Sequence, residues 1–175
     1  MKTLRWFILT LIGQDRPGIV ARVSQALFEG GCHLGEASMT RLGETFSIML
    51  MVGCEGQARA LEKLLDPVVQ ALNLKLHIDP LERRPYQHPE PDVLITVFGA
   101  DRPGIVAQVT GSLAAAGLNI LDLTSEVAGT GEKGIYIMRI EGQATQGLEP
   151  LRGAIEAVKK KGVEAHLQSI DTLIA

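Results

Sequence analysis

The heptapeptide Asp-Arg-Pro-Gly-Ile-Val-Ala stands twice in the chain, at Asp15–Ala21 and at Asp101–Ala107. It holds no serine, cysteine or histidine that could act as a nucleophile or proton shuttle, so the chemistry it offers is that of binding. In each copy a charged pair (Asp15 and Arg16; Asp101 and Arg102) leads into Pro17-Gly18 or Pro103-Gly104, and the apolar residues that follow open a helical period. Asp15 or Arg16 can cap such a helix, and proline suits its first turn because the missing N–H costs nothing there. Gly18 removes the side chain that would block approach to the backbone. The N–H groups of Gly18, Ile19 and Val20, and of Gly104, Ile105 and Val106, then point outward at the positive end of a helix dipole, which suits a carboxylate. A plain turn and helix cap would also account for the motif. Its recurrence favours binding.

Elsewhere the chain shows no nucleophile or acid/base pair with an orienting partner, and no glycine-rich phosphate loop. No catalytic residue, cofactor or metal ion is expected. His77 and His166 correspond to one another, each out of phase with the apolar face of a last strand, and are expected to face solvent rather than to hold a metal or act as a pH switch. Cys32 and Cys54 lack metal-ligand spacing and are expected as reduced thiols rather than a disulfide.

The formal charge of −3 argues against a nucleic-acid-binding face, which needs clustered Lys and Arg to displace counterions. The one basic run, Lys159–Lys161, falls at the end of a predicted helix, where cations complement the dipole. The start of the chain, with Lys2 and Arg5 before an apolar stretch, imitates a signal peptide. It has no small-residue cleavage site, and the internal Val93–Gly99 echoes it, so it reads as a strand. No run is long enough to span a membrane, and a cytoplasmic protein is expected.

The elements that must carry the two loops follow from the repeat. Gly13 and Gly99, which end matching apolar runs, stand 86 positions apart, so two units are expected: 1–82 and 92–175, joined by a Pro-rich linker over 83–91. In the first unit the patterns predict a strand over 3–12, a helix over 17–29 stopped by Gly30 and Gly31, and strands over 34–42 and 45–52. A helix over 57–72, which Pro67 should kink or shift, and a strand over 74–81 complete it. The second repeats the order over 93–98, 103–116, 119–127, 135–141, 150–161 and 163–173. Matching Phe46 with Ile135 makes its hairpin three residues longer. Two β-α-β-β-α-β units predict an α+β protein of two ferredoxin-like domains. Both faces of each first strand are apolar, although helices can cover only one, so the other is expected to pack against a sister unit or a second chain.

A DRPG loop between the first strand and first helix of such a unit resembles the ACT domain, a small regulatory module that binds amino acids. Two such units and little else resemble the glycine cleavage system transcriptional repressor family. The resemblance implies that a residue at the start of the second strand reaches the ligand's amino group: Asn119 with Ile120 in one copy, His33 with Leu34 in the other. Asn119 offers both a donor and an acceptor, though it also reads as a turn residue after Gly117; for His33 the plain structural reading is the stronger. The second site is therefore expected to bind more tightly. The resemblance further implies a homodimer that senses a small amino acid such as glycine and regulates transcription through a DNA-binding partner, without itself contacting nucleic acid or membrane. The alternative it leaves open is a regulatory subunit of an amino-acid-metabolism enzyme.

Overall fold

The computed structural model describes residues 4–81, 89–100, 103–129 and 134–170. Asp101 and Arg102 of the second loop lie outside these residues, as do 83–88 of the expected linker and the end of the expected last strand. The chain divides into two compact units, residues 1–86 and 87–175. The first comprises β1 (Arg5–Gln14), α1 (Ile19–Glu29), β2 (His33–Leu42), β3 (Thr45–Cys54), α2 (Ala58–Leu72) and β4 (Lys75–Leu81). The second comprises β5 (Val93–Ala100), α3 (Ile105–Ala115), β6 (Leu118–Ala128), β7 (Ile135–Ala144), α4 (Leu148–Lys159) and β8 (Glu164–Ser169). The sheets are ordered β2-β3-β1-β4 and β6-β7-β5-β8 with antiparallel neighbours, the ferredoxin-like arrangement expected.

Alternation in the strands and fourfold spacing in the helices build each core. Phe7, Leu9 and Leu11 on one face of β1 meet Ile19, Val23 and Leu27 of α1 and Leu61, Leu65, Val68 and Leu72 of α2. The second unit repeats this with Val93, Ile95 and Val97 against Ile105, Val109 and Leu113 and against Leu151, Ile155 and Val158. Each such side chain contributes roughly 1.5–3 kcal/mol on burial. That stripe also explains why α2 runs unbroken through Pro67: buried residues on both sides of the proline outweigh its cost of about 3 kcal/mol. The expected shift of the helix start does not occur.

Two other expectations change. Both first helices begin later than their prolines, at Ile19 and Ile105, because Gly18 and Gly104 adopt φ of +87° and +88°, which is not helical. The hairpin insertion is four residues rather than three: Gly13 faces Phe46 and Gly99 faces Tyr136, so Tyr136, not Ile135, is the counterpart of Phe46. A slip of one residue would have turned Met138 and Ile140 out of the core, where both are fully buried.

The helix-free faces differ. In the first unit Ile8, Thr10 and Met51 are half-buried on it and Ile12 and Met49 exposed. In the second, Leu94, Thr96 and Phe98 of β5 face Glu141, Arg139 and Ile137 of β7.

Candidate functional site

The first loop is held by groups other than its helix. The Asp15 N–H donates to the Glu44 carbonyl (2.8 Å), and the Asp15 carboxylate accepts from Arg41 Nη1 (3.2 Å). Arg16 turns back to Gln14 Oε1 (3.1 Å). Neither Asp15 nor Arg16 caps α1; the cap is Gly18, and no side chain bonds to it. Pro17 belongs to the turn, not to the first helical turn. Arg41 and Glu44 are the residues that sequence reasoning missed. Arg41 is 26 positions from Asp15, and only the β2–β3 hairpin brings it there. Gly13 has its own reason: a Cβ there would lie 2.7 Å from Leu74 Cδ2 and 3.2 Å from the Asn73 carbonyl oxygen, so the turn before β4 would have to shift.

Each first helix opens on backbone donors without an intrahelical partner. The first intrahelical bond of α1 runs from Arg22 N–H to the Gly18 carbonyl (3.0 Å), which leaves the N–H groups of Gly18, Ile19, Val20 and Ala21 without an intrahelical acceptor. In α3, Gln108 N–H bonds to Gly104 (2.9 Å), and Gly104, Ile105, Val106 and Ala107 are left likewise. Ile19 and Ile105 send their side chains into the cores, and Val20 and Val106 send theirs outward. Glycine is required at 18 and 104 by its positive φ, not by crowding, since a Cβ at either would meet nothing within 4 Å. Pro103 and Gly104 are exposed. The Gln108 Nε2 is buried and has no hydrogen-bond partner among the described residues.

The second half of the expected site lies elsewhere. His33 pairs with Gly53 and Leu42 with Thr45, while Trp6 and Gln14 of β1 pair with the same two residues. The start of β2 and the DRPG loop are thus at opposite ends of one sheet, eight residues apart along β3, or about 27 Å. Asn119 pairs with Gln143 and Ala128 with Ile135, so the second unit repeats the separation. Within a unit the structure does not bring His33 and Leu34 to Gly18, nor Asn119 and Ile120 to Gly104. Both strands break register just after these residues, between Leu34 and Ala37 and between Ile120 and Asp122. Such a bulge re-aims the side chains beside it. Gly142 lies against it, where a Cβ would run into the Asn119 carbonyl. His33, Leu34 and Asn119 are exposed; Ile120 packs against the second core.

The remaining chemistry-bearing residues sit apart. His77 and His166 lie on the helix-free faces opposite Thr10 and Thr96, exposed as expected, each 3.2 Å from a carboxylate two residues away (Asp79 and Glu164). No metal-binding cluster occurs among the described residues. No helix among them is long and apolar enough to cross a membrane.

Two units with this strand order, each opening its first helix on a left-handed glycine after the first strand, define a tandem of two small ferredoxin-like modules. The model of the ACT domain matches residues 5–79 and 92–168, and the chain belongs to that family. Among curated relatives, the glycine cleavage system transcriptional repressor of Escherichia coli is 28% identical over 126 residues, covering 71% of this chain; the match spans 66% of the repressor's length. Two solved structures share the fold over nearly the whole chain. One is a protein from Galdieria sulphuraria (TM-score 0.76, 23% identity, 96% of this chain and 99% of that one). The other is described as a glycine cleavage system transcriptional repressor (TM-score 0.74, 18% identity, 95% and 98%).

Proposed function

We propose that this chain is an amino-acid-responsive regulator that acts on transcription through a DNA-binding partner, with a small amino acid such as glycine as its ligand. One observation carries the reading: both units cap their first helix with a glycine at φ near +87° and no side chain, which leaves backbone N–H groups at a positive helix end without an intrahelical acceptor. Such groups suit a carboxylate. The ligand ammonium needs a separate partner. Because each loop is about 27 Å from its own unit's second-strand start, that partner comes from another ACT unit, and our reading assigns it to the His33–Leu34 and Asn119–Ile120 segments of a second copy of the chain in a homodimer. With a formal charge of −3, contact with DNA passes through the partner, and the protein works in the cytoplasm. The similarity to the Escherichia coli repressor supports the transcriptional part of the reading.

The test couples titration calorimetry of the full chain against glycine, alanine and serine with affinity capture, with and without glycine, read by mass spectrometry. Binding of a small amino acid and glycine-dependent recovery of a DNA-binding protein are expected. Absence of binding at millimolar concentration would remove the sensing role, and glycine-dependent recovery of a metabolic enzyme instead would reassign the target.

A further inference from the structure

Cys32 immediately precedes β2, and Cys54 ends β3. His33 faces Gly53 across that pair, so the next step outward sets Cys32 opposite Cys54. The second unit contains that step inside its ladder, where the counterparts Leu118 and Ala144 are register partners. Opposed residues of an antiparallel pair have Cα atoms about 4.5–5.5 Å apart, inside the span of roughly 4.4–6.8 Å that a disulfide bridges. The side chains also share a side: Cys54 belongs to the first core and Cys32 packs against it. Both are free thiols, and the Cys32 thiol donates to the Gly30 carbonyl (3.9 Å).

We propose that Cys32 and Cys54 close to an intramolecular disulfide when the chain meets a small disulfide oxidant such as glutathione disulfide, and that the bond pins the start of β2 in the first unit only. Cys32, the more exposed of the two, attacks one sulfur of glutathione disulfide as its thiolate, which breaks that S–S bond and releases one glutathione thiolate. Cys54 then gives up its proton and attacks the Cys32 sulfur of the mixed disulfide, expelling the second glutathione. Two protein thiols are oxidised, one glutathione disulfide is reduced to two glutathione molecules, and the two protons lost by the cysteines end on them. Cys54 is only 4% exposed, but its step is intramolecular and needs no access for a second molecule. Burial and the neighbouring Cys54 push the Cys32 thiol up to about 11. Oxidation is therefore slow at neutral pH and gains about tenfold per pH unit as thiolate accumulates. The bond anchors the residue before His33 and Leu34, next to the bulge at Gly35 and Glu36. Leu118 and Ala144 cannot do the same for Asn119.

The native chain is incubated with glutathione disulfide at several pH values from about 7.5 to 9.5, quenched in acid, alkylated in denaturant and weighed intact. The expected product is a monomer about 2 Da lighter with no alkylatable thiol, since these are the chain's two cysteines. Amide exchange over residues 33–37 slows in the oxidised form, while residues 119–123 serve as an unchanged control. The Cys54→Ser variant stalls as a glutathione adduct on Cys32. A parent protein that keeps both thiols at pH 9.5, stops at the adduct, or links chain to chain overturns the disulfide. A disulfide that leaves exchange over 33–37 unchanged overturns the pinning.

Discussion

Changing Gly18 or Gly104 to alanine alters backbone energy and little else, because φ is +87° or +88° and the added methyl meets nothing within 4 Å. An L-residue in that region costs about 1–2 kcal/mol, with no burial to offset it. Gly111 in α3 and Gly153 in α4 are equally open, yet they sit in right-handed helix, where alanine gains about 0.5–1 kcal/mol. One chemical change therefore splits by about 1.5–3 kcal/mol on φ alone. At roughly 4–8 °C per kcal/mol for a unit of this size, Gly104→Ala lowers the second unit's midpoint by about 4–16 °C and Gly111→Ala raises it by about 2–8 °C. Scanning calorimetry, with urea titration as a check, reads both. Gly104→Asn adds a functional arm. Asparagine tolerates the left-handed region, as Asn73 at φ 52° already does in this chain. That variant keeps most of the stability while placing a side chain before the open N–H groups, and glycine binding at that loop is lost. Neutral Gly18→Ala and Gly104→Ala variants, or a Gly111→Ala variant that falls with them, would refute the account of the loop.

Gln108→Met removes an unpartnered buried amide nitrogen and stabilises the second unit by about 1 kcal/mol in urea titration. Arg41→Ala breaks an ion pair whose side chains are 66% and 34% exposed, so it costs under about 1 kcal/mol; proteolysis at the Asp15–Gly18 loop is the more sensitive readout and accelerates. Folded Cys32 keeps its proton to about 11, whereas the unfolded thiol releases it near 9.0. The folded state thus binds more protons between these values, and the contribution is full below pH 9 and lost as pH rises toward 11. Cys32→Ala flattens the alkaline fall measured by denaturant midpoints across pH 8–11.

The fold was legible because period and repeat agree. Phe7, Leu9 and Leu11 announce a strand, Ile19, Val23 and Leu27 a helix, and the second copy says both again. What escaped is non-local or depends on backbone angle. Proline before glycine reads as a first helical turn, but the left-handed Gly18 ends the turn instead and starts the helix one residue on. The Asp15–Arg41 pair has no signal in linear spacing. Tyr136 is closer to Phe46 in type than Ile135 is, and pairing geometry makes the same match, because a strand's faces alternate and the core must stay inside. The two halves of the candidate site look adjacent as motifs. A parallel relation between β1 and β2, each antiparallel to β3, puts them at opposite ends.

Trp6 is the chain's single tryptophan, and its indole lies across the helix-free face of the first unit, 3.0 Å from where Cβ atoms of Gly35 and Gly53 would stand. Its counterpart in the second unit is Asp92, whose carboxylate instead accepts from the Ala144 N–H (2.8 Å). The protein thereby carries a built-in optical label at one end of one sheet. Tryptophan emission, excited apart from the tyrosines, follows the water around that face of the first unit. Blue-shifted fluorescence on raising concentration, or on adding a partner, would mark that particular surface as the one being covered, without any dye or engineered residue.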